Sequence, residues 1–166
     1  MPKGASEMLL SVIKFTNPLE LFTSQWFWCG LGGWLVASFI KMIFGCIRHG
    51  RLDIEYLIAT GGMPSSHSAT VSGLAFGIGY TESFSSPLAV LAFAFAFITM
   101  FDAATIRKAA GEHAKFLNAM IKDIKELKFK PQKAFKELLG HTRNEVFWGM
   151  VTGIVWATFL SHVWGR

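Results

Sequence analysis

Three stretches of this chain are too long and too apolar to sit in water. Ser83 to Phe101 and Val146 to Trp164 are each nineteen residues without a charge, and Trp26 to Ile47 is twenty-two residues with only Lys41. A helix rises about 1.5 Å per residue, so each run can cross a hydrocarbon layer of roughly 30 Å. Pro64 to Thr81 is also uncharged, yet rich in Ser and Gly. Hydropathy alone scores it weakly, and the need for an even return path counts it as a fourth span. Hydrophobic residues make up 52% and charged residues 16%, well below the roughly 25% charged fraction of soluble domains. The expected fold class is all-α, an integral membrane bundle of about four transmembrane helices.

Residues 1–25 read as an N-terminal interfacial segment, with short amphipathic pieces at Ser6 to Phe15 and Pro18 to Trp26. Asn17-Pro-Leu-Glu20 resembles a helix start, with Pro at the first helical position and a capping-box Glu. The four spans then form one domain over residues 26–166. Within it, residues 107–143 form a polar, Lys-rich loop with helical character from Ala109 to Leu127 and a break at Pro131. That loop reads as an amphipathic hairpin on the headgroups or as a lid over a site. Gly73-x3-Gly77 and Gly149-x3-Gly153 allow close helix contacts, and such faces could also join copies of the chain. Cys29 and Cys46 fit no zinc motif and read as packing residues. No secretory leader is expected at the N-terminus.

Thirteen of the sixteen Lys and Arg fall either at the end of the first span and just after it, or in the long loop. The positive-inside rule places that side in the cytoplasm. No nucleic-acid partner is expected; membrane lipids are.

Ionisable residues at membrane depth are functional suspects, and here they converge. Lys41 and Arg48 end the first span, and Ser65, Ser66 and His67 begin the second. Asp102 and Arg107 close the third, and His141 and Glu145 open the fourth. Alternating helix direction brings all four sets to one membrane face. Lys41 and Arg48 lie two helical turns apart, on one face. With Arg107 they can neutralise a phosphate and the charge of a phosphoryl-transfer transition state. Gly61-Gly62 offers a flexible approach, and the amides of Ser65, Ser66 and His67 at a helix start would face an anion. His67, with a reference pKa near 6.5, can protonate a leaving alkoxide. No His or carboxylate cluster has metal-ligand spacing, so chemistry without a metal or cofactor is expected. Taken singly, Lys41 and Arg48 also fit snorkelling, Ser-Ser-His fits a helix cap, and Asp102 fits a structural ion pair.

Met63-Pro-Ser-Ser-His-Ser-Ala69, Phe101-Asp-Ala103, Ile106-Arg-Lys-Ala-Ala-Gly111 and Leu139-Gly-His-Thr142 with Glu145-Val146 resemble the divergent branch of the type-2 phosphatidic-acid phosphatase family. That branch is related to acid phosphatases and vanadium haloperoxidases. The wider superfamily carries Lys-x6-Arg-Pro, Pro-Ser-Gly-His and Ser-Arg-x5-His-x3-Asp. Here Lys41 to Arg48 satisfies the first except that His49 replaces proline, and Pro64-Ser-Ser-His67 has Ser66 for glycine. In the third, Arg107 with five residues following reaches His113, but Leu117 stands at the acidic position. Alternatively His141-x3-Glu145 supplies the histidine and acid after an insertion. The resemblance implies that the third-motif histidine attacks phosphorus and that His67 is the acid. His141 is favoured over His113 as nucleophile, because His141 and Glu145 share one helical face and the carboxylate can fix the ring tautomer. The reading is a phosphomonoester hydrolase acting on a lipid phosphate of the phosphatidic acid or phosphatidylglycerophosphate type. A catalytically decayed lipid- or phosphate-binding protein and a small transporter are the alternatives.

Overall fold

A computed structural model of the chain describes residues 18–49, 62–125 and 140–165. The expected amphipathic piece at Ser6 to Phe15, the cap residue Asn17 and Gly61 lie outside the described residues. Pro18–Thr23 is a 3-10 helix rather than a separate amphipathic α-helix. It leads at once into α1, Gln25–His49. The other helices are α2, Ser66–Glu82; α3, Pro87–Ala104; α4, Ile106–Lys125; and α5, Arg143–Trp164. The architecture is an all-α membrane bundle.

Local sequence chemistry sets the helix starts. Ser65 caps α2 by accepting from the Ser68 N–H at 3.4 Å. Ser86 caps α3 with Pro87 at the first position, where its missing N–H costs nothing. Thr142 and Glu145 form a reciprocal capping box on α5. Thr105, whose N–H bonds back to Phe101 and Asp102, caps α3, and α4 follows at once from Ile106. Among the described elements α4 touches only α3.

Three of the described segments are long and apolar enough to cross a membrane: Gln25–Ile47, Pro87–Met120 and Arg143–Trp164. The helix with the weak hydropathy, α2, is the centre of the bundle and packs against α1, α3 and α5. Ten of its seventeen residues are buried, so it is screened from lipid and can carry serines. Ser72 shows how they are satisfied: its hydroxyl donates to the Ser68 carbonyl at 2.7 Å and to the Met150 carbonyl of α5 at 3.1 Å. An interhelical bond of that kind contributes about 0.6 kcal/mol.

Glycines let the backbones approach. A Cβ at Gly153 would strike the Ala69 carbonyl and the Ser72 hydroxyl, and one at Gly149 would strike the Ser65 carbonyl. Gly73 lies on the Cys29 carbonyl, and a Cβ at Gly77 would come within 2.7 Å of the Cys29 sulfur. These glycines therefore face other helices of the same chain. Cys29, fully buried, is a packing residue as expected. The outer faces carry Phe39, Ile43 and Ile47 on α1, Leu91, Phe95 and Ile98 on α3, and Val155 and Phe159 on α5, all exposed at helical spacing. That surface suits lipid tails.

The two ends of the bundle differ. At one, Trp26 donates to Thr81 at 2.6 Å, Gln25 to Ser161 at 2.9 Å, and Tyr80 pairs with Thr158 at 2.9 Å. At the other lie the C-terminal parts of α1 and α3 and the starts of α2 and α5, with the site residues.

Candidate active site

Lys41 projects from α1 into protein and not along the lipid face. It is only 4% exposed, which argues against simple snorkelling. Its ammonium donates to the Ser66 hydroxyl at 3.3 Å, and Ser66 is also paired with Ser38 at 3.0 Å. The Glu145 carboxylate lies within Coulombic range of it. Gly62 covers the aliphatic stem: a Cβ there would sit 3.4 Å from Cγ and Cδ of Lys41. Gly62 has φ 96°, a conformation that side chains disfavour. The expected approach to the helix thus runs, at this residue, against the lysine stem.

The start of α2 is joined to α5 through the backbone. The Ser65 N–H donates to the Glu145 carbonyl at 3.0 Å, so this amide is not offered to an anion. The Ser65 hydroxyl, fully buried, serves the helix cap and accepts from Ser68 Oγ at 3.1 Å. Both the amide and the hydroxyl of Ser65 are therefore engaged within the protein. Ser66, which stands where the superfamily has glycine, uses its hydroxyl to hold Lys41.

His141 and His67 meet. Their ring centroids are 5.9 Å apart, edge to face. His67 is exposed, whereas His141 is 1% exposed. The His141 N–H donates to the Ala103 carbonyl at 3.2 Å, which ties the end of α3 to the start of α5. Its Nδ1 lies 3.2 Å from Glu145 Oε2, and the same oxygen accepts from the Thr142 N–H at 3.0 Å. A carboxylate on Nδ1 selects the tautomer with the proton there and leaves the ring lone pair on Nε2.

The other expected residues differ in where they lie. Asp102 is half-buried in the last turn of α3, next to the Ala103 carbonyl that holds His141. His113 is exposed on α4, which touches neither α2 nor α5, and so it stands apart from His67 and His141. The side chains of Arg48 and Arg107 lie outside the described residues. Beside His141 a cavity of about 380 Å³ is lined by Ala104, Thr142, Arg143 and Asn144. Among the described residues no three His, Cys, Asp or Glu side chains are grouped to hold a metal ion.

Ser38 and Arg143 were not singled out by sequence. Ser38 stands one helical turn before Lys41, on the same face. That spacing was the available signal. Arg143 was counted only as part of the basic side.

Residues 22–156, which include all of these pieces, match one described family. The chain belongs to the Divergent PAP2 family. A relative from Bacillus subtilis (strain 168), described as an uncharacterized membrane protein, YuiD, is 38% identical over 155 residues. The match covers 87% of this chain and 98% of the relative. No solved structure matches. Membership in the Divergent PAP2 family, together with the spans, makes this an integral membrane protein related to phosphatases.

Proposed function

We propose that this chain hydrolyses a phosphomonoester, a lipid phosphate of the phosphatidic acid or phosphatidylglycerophosphate type, at the cytoplasmic face of the membrane. The observation that carries the reading is the His67–His141 pair, with Glu145 on Nδ1 of His141 and Lys41 bonded to the residue before His67. In the first step Nε2 of His141 attacks phosphorus and the phosphorus–oxygen ester bond breaks. His67, protonated, gives its proton to the leaving alkoxide. In the second step water attacks the phosphohistidine while neutral His67 takes the water's proton. The products are an alcohol and inorganic phosphate, and both histidines return to their starting states. Lys41 and Arg143 supply positive charge near the phosphoryl oxygens, where preorganised charge lowers the barrier. Phosphorus reaches the buried His141 from the side that the exposed His67 borders.

A second reading has support of its own. His141 is buried, the Ser65 amide is engaged, and Ser66 occupies Lys41, an arrangement that also suits a protein that binds lipid phosphate without turning it over. Phosphate release from phosphatidic acid and phosphatidylglycerophosphate by purified protein in detergent separates the two. The phosphatase reading expects release that His67→Ala and His141→Ala abolish. Saturable binding with no release would overturn it in favour of the second.

A further inference from the structure

The polar site accounts for a phosphate and leaves the rest of the substrate unassigned. A cavity of about 280 Å³ lies between α1 and α5, lined by Ile40, Phe44, Met63, Pro64, Trp148 and Thr152. Each wall adjoins the site along the chain. Ile40 precedes Lys41, Pro64 precedes Ser65, and Met63 follows the Gly62 that covers Lys41. Trp148 precedes Gly149, which lies on the Ser65 carbonyl. The lining is apolar, and the Thr152 hydroxyl is turned to the Trp148 carbonyl at 2.8 Å. Phe44 and Trp148, 53% and 50% exposed, leave the cavity open on a face that lipid covers in a bilayer.

An apolar slot that opens to lipid, and whose wall residue Ile40 precedes a buried cation in the chain, matches an amphiphile with an anionic head. We infer that this groove seats the upper part of one acyl chain of a membrane lipid whose phosphate lies at Lys41. The inference rests on the polar site being a phosphate site and adds how a lipid, rather than a free phosphate, is selected. The chain enters sideways from the leaflet between α1 and α5, so the lipid keeps its tail in hydrocarbon while its head reaches His67. A groove of this kind discriminates by the presence of a chain, whereas Lys41 discriminates by charge.

The test uses the full chain in vesicles of phosphatidylcholine. A non-hydrolysable phosphonate analogue of phosphatidic acid, with a photoreactive diazirine on one acyl chain, is compared with phosphatidylcholine bearing the same chain. After illumination the labelled peptides are mapped by mass spectrometry. The expected result is labelling of the Ile40–Phe44 and Trp148–Thr152 peptides at least fivefold stronger from the phosphonate at equal mole fraction. Filling the groove with Thr152→Trp, or with Ile40→Phe should that variant fail to fold, removes the excess, and Lys41→Gln brings it down to the phosphatidylcholine level. Equal labelling by the two lipids, labelling insensitive to the filling variants, or cross-links between the grooves of two copies would each overturn the assignment. Selective labelling in a protein that releases no phosphate keeps the groove and sinks the phosphatase. Release of phosphate with unselective labelling does the reverse.

Discussion

One Glu145 carboxylate oxygen faces both the His141 ring and the Thr142 amide. Gln also serves at the third position of a capping box, so Glu145→Gln keeps the helix start and removes only the charge. We expect its thermal midpoint in detergent to stay near that of the parent while phosphate release slows about a hundredfold or more. His141→Ala should be inactive and His113→Ala mild, measured in the same assay. An inactive His113→Ala beside an active His141→Ala would return the third motif to its literal spacing. Gly62 gives a second residue-scale prediction. At φ 96° an alanine is strained by about 1–2 kcal/mol, and its Cβ would lie in contact with the Lys41 stem. Gly62→Ala should therefore weaken inhibition by vanadate, a phosphoryl-transfer mimic, as well as lower the midpoint. The sequence made Lys41, His67, His141 and Glu145 legible, since a charge or imidazole near the end of an apolar run has few other reasons to be there. It hid Ser38, because a lone serine in a membrane helix is common. It also misassigned the Ser65 amide, whose partner is a carbonyl eighty residues away in the chain.

At the scale of helices, apolar runs located α1, α3 and α5 to within a few residues, while the caps at Ser86 and Thr142 came only with the structure. The central helix was the least legible by hydropathy, for a physical reason. Its serines and glycines are chosen for contact with other helices and not with lipid, so its composition reports on its neighbours. The N-terminal piece at Pro18 was legible as a helix start but not as a 3-10 turn, a distinction that tertiary contacts decide. Packing between α2 and α5 gives a test by contrast. A Cβ at Gly153 meets the Ala69 carbonyl, while one at Gly30 meets only ordinary contacts at 3.6 Å. Gly153→Ala should cost about 1–3 kcal/mol through overpacking, read as a lowered thermal midpoint, and Gly30→Ala should be nearly neutral. Equal effects would mean that the α2–α5 contact is looser than described.

For the whole molecule, family membership and the spans establish a membrane protein, and the positive-inside rule gives the proposal for its sidedness. If the basic face is cytoplasmic, a cysteine at Lys125→Cys, in a chain with Cys29→Ala and Cys46→Ala, should resist an impermeant thiol reagent in intact cells and react after lysis. Labelling in intact cells would reverse the orientation. Lys41 is a buried cation of the site, so we expect a chelator to leave phosphate release unchanged. Activity lost to chelator and restored only by Mg²⁺ would instead make Asp102 and Glu145 ligands. The central claim is that His141, held by Glu145 and facing His67, carries the phosphoryl group. The most direct measurement is to incubate the purified protein with phosphatidic acid labelled in its phosphate, quench during turnover, and locate the label under conditions that preserve phosphohistidine. The account predicts a base-stable, acid-labile phosphate on the peptide containing His141, accumulating in His67→Ala if water attack is slowed more than phosphorylation, and absent in His141→Ala. Label on His113, or rapid release of phosphate with no label at either histidine, would contradict it.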